Sequence, residues 1–356
     1  MRRQYLALAR RRLARPGWLW RGALRYLTIP RSTRRGRPLT GPLFASYVVN
    51  YHCNLACEFC GAWRSADGAR QGQKLSPEQE EGLLDDLARL GTLGVGITGG
   101  EPLLREDIVQ LVARIRQRGM VAHLNTNGTR LTLEMARALV AAGVASVNTS
   151  LDAPDAATHD RIRGRAGAFD QTIEGLRHLL EARKAPGRPR VTVVSVVQAG
   201  SDPEAMVALA EELGVDAIGF LPRHGFGSEV AASADAFDLQ RRLVELKRRS
   251  PLVDSSKEYL GLFGDALQGH PHDIRCHVGA SHLAVDLFGE VFACMPYNES
   301  GRSWASLHDA PLRELWAGTA HRRIIVETSK CRDCTWNCHT EVNLLFRGRG
   351  TQSDAC

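Results

Sequence analysis

Between residues 44 and 249 the chain repeats one pattern six times: a short β-prone apolar run, then a longer stretch with apolar positions every three or four residues. The series opens with Phe44–Asn50 (FASYVVN), whose unbroken apolar character predicts a strand buried on both faces. Further strands are predicted at 93–98, 120–125, 144–151, 191–198 and 215–221. The first helix begins at Ser76-Pro77-Glu78-Gln79, where Ser76 can cap, Pro77 suits the first turn and Gln79 completes a capping box. It is predicted to run to about Leu90 and stop at Gly91. The remaining helices are predicted at 105–118, 131–142, 170–184, 203–213 and 235–249, with Gly119, Gly143 and Gly214 placed to close three of them. Strand–helix alternation implies a parallel sheet, and six units fall short of the eight of a closed barrel.

After about residue 250 the alternation stops. A hairpin is predicted from Leu283–Leu287 and Glu290–Ala293 around Phe288-Gly289, and a short helix from Leu307 to Trp316. The chain thus divides into an arm (1–40), an α/β core (41–250) and a smaller C-terminal module (251–356).

At 356 residues, 44% hydrophobic and 24% charged, the chain has the composition of a globular protein with a full core. The net charge of +7 is misleading as an average. Residues 1–40 hold twelve arginines and no acid, so the rest of the chain is net negative. Within that arm, split by Pro16 and Pro30, Trp20, Leu24 and Leu27 fall on one helical face, with Trp18 and Leu19 beside them and Arg21 and Arg25 interleaved. Two readings fit: a helix lying in a membrane interface, or a basic arm packed on the core. Nucleic acid ranks third, because no recognised binding module accompanies the charge. No apolar run is long enough to span a bilayer, and no secretory signal follows the N-terminal charges. Nine cysteines gathered in tight clusters suit metal binding in a reducing compartment, which implies a cytoplasmic protein.

The first cluster, Cys53-x3-Cys57-x2-Cys60, supplies three thiols, one fewer than a closed tetrahedral site needs. A three-thiolate site leaves one metal position open, unless a zinc ion borrows a ligand such as His52. With Phe59 before the last cysteine, the stretch resembles the radical S-adenosylmethionine (SAM) superfamily, whose signature is C-x3-C-x-aromatic-C. That resemblance implies a partial (β/α)6 TIM-like barrel in which the three cysteines hold a [4Fe–4S] cluster and SAM chelates the fourth iron. One-electron cleavage of SAM then yields a 5′-deoxyadenosyl radical that abstracts hydrogen from a substrate. The second strand ends in Gly99-Gly100-Glu101-Pro102, matching the GGEP stretch that binds the amino group of SAM in that family. Two glycines there let backbone approach a small ligand closely. Asn127 and Ser150, at the ends of the third and fourth strands, match positions used for the ribose and carboxylate. Arg163 offers a bidentate fork for that carboxylate, with Arg161 an equal rival.

The C-terminal cysteines follow a second pattern. Cys276-x12-Gly289-x4-Cys294 precedes Cys331-x2-Cys334 and Cys338, with Cys356 at the end. This is similar to the SPASM/twitch extension of radical SAM enzymes, which binds one or two auxiliary [4Fe–4S] clusters. The resemblance implies one cluster on Cys276, Cys294, Cys331 and Cys334. The full two-cluster pattern has seven cysteines where this module has six, so Cys338 and Cys356 stand open as further ligands. A zinc ribbon using His277 and His339 is the alternative for these residues taken alone.

The expected function is radical generation from SAM, fed by a one-electron reductant of the flavodoxin or ferredoxin type. Relatives with the extension mostly modify ribosomal peptides or act on small metabolites. About forty residues precede the core, against about ninety for a leader-binding domain, which weighs toward a metabolite or a lipid-linked substrate presented at a membrane. The alternative from another class is a non-enzymatic, zinc-stabilised module binding nucleic acid or membrane through its basic arm.

Overall fold

The computed structural model describes residues 16–61, 63, 72–223, 234–332 and 334–347. A first helix, α1 (Pro16–Arg35), leads into the sheet. The six predicted strands are present: β1 (Phe44–Val48), β2 (Gly94–Thr98), β3 (Val121–Thr126), β4 (Ser146–Ser150), β5 (Arg190–Val197) and β6 (Ala217–Pro222). Each pairs in parallel with the next. Between them run α2 (Pro77–Arg89), α3 (Ile108–Gln117), α4 (Leu133–Ala142), α5 (Ala156–Arg163), α6 (Ala168–Ala182) and α7 (Pro203–Leu213), and α8 (Ala236–Arg249) follows β6.

Local chemistry explains the ends. Ser76 and Gln79 form the reciprocal capping box, and Gly143 and Gly214 close α4 and α7 in the left-handed conformation. The helices face the sheet with fully buried apolar side chains such as Leu84, Leu111 and Leu176, each contributing roughly 2 kcal/mol by leaving water.

Three expectations need correction. α5 falls outside the predicted helices; its eight residues are too polar to show a clear apolar stripe. The helix predicted over 307–316 is confined to Leu312–Ala317, starting after Pro311. The arm is not split at Pro30. α1 runs through that residue, and the hydroxyls of Ser32 and Thr33 bond back to the carbonyls of Thr28 and Ile29.

Of the two faces of α1, it is the one bearing Arg25 that packs on the core. Arg25 is buried, donating to the carbonyls of Arg21, Pro42 and Leu90, and Ile29 packs with Val342 and Phe346. Trp20, 70% exposed, and Leu24 and Leu27 point outward.

The chain beyond 250 does not form a detached module. Val253 bridges Ile218 on β6, and Tyr259 and Phe263, from α9 (Lys257–Leu260) and α10 (Phe263–Leu267), belong to the main core. After α11 (Val278–Ser281), the predicted hairpin forms as β7 (His282–Asp286) and β8 (Glu290–Phe292). β7 lies parallel to β1, pairing Phe44 with His282 through Val48 with Asp286. With β9 (Ala305–Ser306) the sheet reaches nine strands, in the order β6-β5-β4-β3-β2-β1-β7-β8-β9. Four further helices complete the described chain: α12 (Met295–Glu299), α13 (Leu312–Ala317), α14 (Thr319–Thr328) and α15 (Asn337–Leu344).

Candidate active site

The Cys53–Cys60 loop leaves the C-terminal end of β1, the edge where α/β folds place their ligands. Two neighbouring loops grip it through backbone bonds. Gly100 N–H donates to Asn50 O (3.0 Å) and Glu101 N–H to His52 O (2.7 Å). On the other side, Ala56 N–H donates to Arg163 O and Glu58 N–H to Ile162 O, at the end of α5. These contacts set the glycine requirements. A Cβ on Gly100 would sit 2.0 Å from His52 O, and one on Gly164 (φ +65°) 2.3 Å from Ala56 O. The glycine pair at the tip of β2 is therefore needed to pass the cysteine loop itself, a nearer reason than approach to a small ligand.

The expected SAM-contacting residues divide into two groups. Glu101 is fully buried, accepting from Leu103 N–H (2.9 Å), Thr126 Oγ1 (2.7 Å) and Asn127 N–H (2.7 Å). Burial raises its carboxyl and these three donors oppose the rise. It ties the turn to β3, and Pro102 starts a buried 3₁₀ turn beside it. The side chain does not meet solvent, so acceptors for an ammonium group at this turn are backbone carbonyls. Asn127 is likewise engaged within the loops: its Nδ2 donates to Asn54 Oδ1 (2.9 Å) and lies 3.9 Å from Cys53 Sγ. Ser150 and Phe59, by contrast, line the barrel cavity.

Arg163 and Arg161 are no longer equivalent. Arg161 is largely exposed beside Glu58. Arg163 is buried, with Nη2 2.7 Å from Asp152 Oδ2, Nη1 3.6 Å from Cys57 Sγ, and its guanidinium 5.4 Å from the centre of the Phe59 ring. Sequence reasoning placed Asp152 at this sheet edge beside Ser150 but missed its pairing with Arg163, and it missed Asn54 and Gly164 as parts of this site.

Burial pushes the Cys53 thiol up. The backbone N–H of Leu55 and the amide of Asn127 at Cys53, and the guanidinium of Arg163 at Cys57, offset negative charge on sulfur. Three reduced thiols with such donors fit an iron–sulfur cluster with one open iron.

The second group of cysteines gathers beside β7. Cys276, Cys294 and Cys331 pack with Val278 and Tyr297, and Cys334 and Cys338 lie within electrostatic reach of Cys294. Burial pushes the thiols of Cys276 and Cys338 up to about 12 and raises Cys294 and Cys334 as well. Cys356 lies outside the described residues. His277 turns away to Thr33 Oγ1 (2.9 Å), while His339 Nδ1 stays 3.9 Å from Cys334 Sγ. Among the described residues no three such side chains converge as one metal ion would require. Of the other residues near these cysteines, Trp336 and Glu341 line the barrel cavity, and Tyr297 bonds Glu327 at the surface.

Between the two cysteine groups runs a cavity of about 320 Å³ along the barrel axis. Its wall contains Phe59 from the first loop and Cys338 from the second group.

Comparison with known proteins agrees with this geometry. The family model of the radical SAM superfamily matches residues 47–213, and that of the SPASM iron–sulfur cluster-binding domain matches 276–338. The mycofactocin maturase MftC of Mycobacterium tuberculosis is 30% identical over 307 residues, covering 84% of this chain and 76% of the relative. An AdoMet-dependent heme synthase of Methanosarcina barkeri is 27% identical over 297 residues, covering 77% and 82%. Among solved structures, SuiB of Streptococcus suis bound to precursor peptide SuiA superposes with a TM-score of 0.63 at 16% identity, over 84% of this chain and 70% of that one.

Proposed function

The chain belongs to the radical SAM superfamily, and on that premise we propose that it removes a hydrogen atom from a substrate held in the barrel cavity. Its cofactors are [4Fe–4S] clusters and SAM. When bound and reduced, the first cluster supplies the electron that cleaves SAM. The observation carrying the proposal is the position of the three-cysteine loop at the mouth of that cavity, gripped by two neighbouring loops.

In this reading Cys53, Cys57 and Cys60 hold the SAM-binding cluster. Arg163 and Asn127 offset charge on its sulfurs, and Glu101 fixes the turn whose carbonyls face SAM. Ser150 meets SAM from the cavity wall. Cys276, Cys294, Cys331 and Cys334 hold an auxiliary cluster, with Cys338 placed between that cluster and the cavity. A flavodoxin- or ferredoxin-type protein delivers the electron. A peptide substrate is supported by one structural neighbour, SuiB, which was solved with a precursor peptide. The zinc-stabilised, nucleic-acid-binding alternative is not favoured by these matches.

The test is anaerobic reconstitution followed by reduction in the presence of SAM. 5′-Deoxyadenosine is expected from the wild type and only background from Cys57→Ala. Equal amounts from both would sink the assignment.

A second reading concerns the arm. No helix of the described residues is long and apolar enough to cross a membrane. The outward face of α1 nevertheless joins Trp20, Leu24 and Leu27 to exposed Arg21, Arg31 and Arg34, a combination suited to peripheral contact with an anionic bilayer. Co-sedimentation of the full chain with phosphatidylserine vesicles, reduced by Trp20→Glu, would support it; no binding to such vesicles would count against it.

A further inference from the structure

The barrel cavity has a lining whose polarity can be worked out atom by atom. The inward positions of β3, β4 and β5 carry His123, Asn125, Ser146, Asn148 and Thr192. Asn125 Nδ2 donates to the backbone carbonyl of Ile97 (3.5 Å), which fixes its amide: Oδ1 must face the other way. That oxygen accepts from Asn148 Nδ2 (3.1 Å) and from His123 Nε2 (3.2 Å). His123 Nδ1 then accepts from Ser146 Oγ. With its amide nitrogen committed, Asn148 presents Oδ1 as an acceptor. Among the described residues this atom has no partner, and neither has Oγ1 of Thr192, which sits directly across the β4–β5 ladder and is 3% exposed. Two recessed, unsatisfied polar atoms side by side in a cavity wall are a cost that a native protein rarely carries without a ligand.

Space and charge narrow that ligand further. Gly219 faces the same cavity, and a Cβ there would meet nothing within 4 Å. Among the described residues no lysine or arginine lines the cavity. Its acidic residues, Asp254 and Glu341, are engaged by Arg190 and by the Ser256 N–H. A carboxylate or phosphate would enter with no cation to meet it. We propose that this wall is a specificity pocket for an uncharged group carrying an N–H or O–H donor, such as a carboxamide or a hydroxyl. The donor is received by Asn148 Oδ1, and the Thr192 hydroxyl bonds beside it. Asn148 lies one inward position below Ser150, so the group is held deeper than the SAM edge and leaves neighbouring carbon toward the cysteine loop. This rests on the cavity being the substrate chamber of the radical enzyme.

Binding of benzamide, benzyl alcohol and benzoate to the reconstituted full-length enzyme, followed by saturation-transfer NMR, tests the pocket. Benzamide or benzyl alcohol is expected to bind at least about tenfold more tightly than benzoate, and the stronger of the two identifies the donor. Thr192→Val and Asn148→Leu should each weaken that probe by about tenfold, the effect of stranding one buried partner. Gly219→Leu, which fills the space, should abolish it. Iron content and thermal melting of each variant show that it is folded. Benzoate binding equally well, or probe binding unchanged in Gly219→Leu, overturns the proposal. An enzyme that binds benzamide but makes no 5′-deoxyadenosine would instead overturn the radical reading.

Discussion

The two cysteine sites are built on different physics. At the barrel mouth the cysteines pack with Leu55, Phe59, Ile162 and Ala168, and two polar side chains reach their sulfurs, a guanidinium at Cys57 and an amide at Cys53, in loops interlocked by backbone bonds. Beside β7 the sulfurs crowd one another in a buried pocket. Most of the groups that favour their ionised form there are backbone N–H donors, such as that of Val278 at Cys276 (3.5 Å). Burial raises a thiol at the first site too, that of Cys53, but side-chain donors from Arg163 and Asn127 reach its sulfurs. The second concentrates several thiols that burial raises together.

That contrast can be broken experimentally. Removing iron with a chelator should loosen the second site most. Amide exchange is expected to rise strongly across 331–344 while β3, β4 and β5 stay protected; a uniform rise would erase the distinction. Arg163→Leu should act on the first site alone. It strands the buried Asp152 carboxylate, with a cost of about 3 kcal/mol, read as a lower midpoint in denaturant. Gly164→Ala forces a side chain into the left-handed region and against Ala56 O, costing roughly 2 kcal/mol. It should release iron from the barrel mouth while the auxiliary site keeps its own. Acid sensitivity is shared by both regions. Burial holds His123 and His159 in the barrel, and His277 in the second region, down at about 4. The unfolded chain therefore takes up more protons below about pH 6.5. Stability should be full above that pH and fall progressively toward pH 4, measured as melting temperature, with His123→Gln flattening the slope.

What could be read from the chain was the part governed by short-range rules. Ser76 and Gln79 announce a helix start, Gly143 and Gly214 announce ends, and six apolar runs announce a parallel sheet. The cysteine spacings were equally local. What escaped depends on partners distant in sequence. The pairing of β7 with β1 joins residues more than two hundred positions apart, and nothing near His282 specifies it. Arg163 carried the right chemistry, but only the fold could show that Asp152 and Cys57 receive its guanidinium, leaving Arg161 at the surface. Arg25 illustrates the same limit. Read on a helical wheel it belongs to the wet face, yet three carbonyls draw it inside and turn the tryptophan face outward.

The ladder between β1 and β7 has a consequence for electron flow. The first cysteine loop departs from the end of β1, and the auxiliary cysteines flank β7, which is bonded to β1 along its whole length. A hinge between the two sites would have to tear that ladder. Any electron passed between clusters at the two sites would therefore cross a gap whose width the sheet sets.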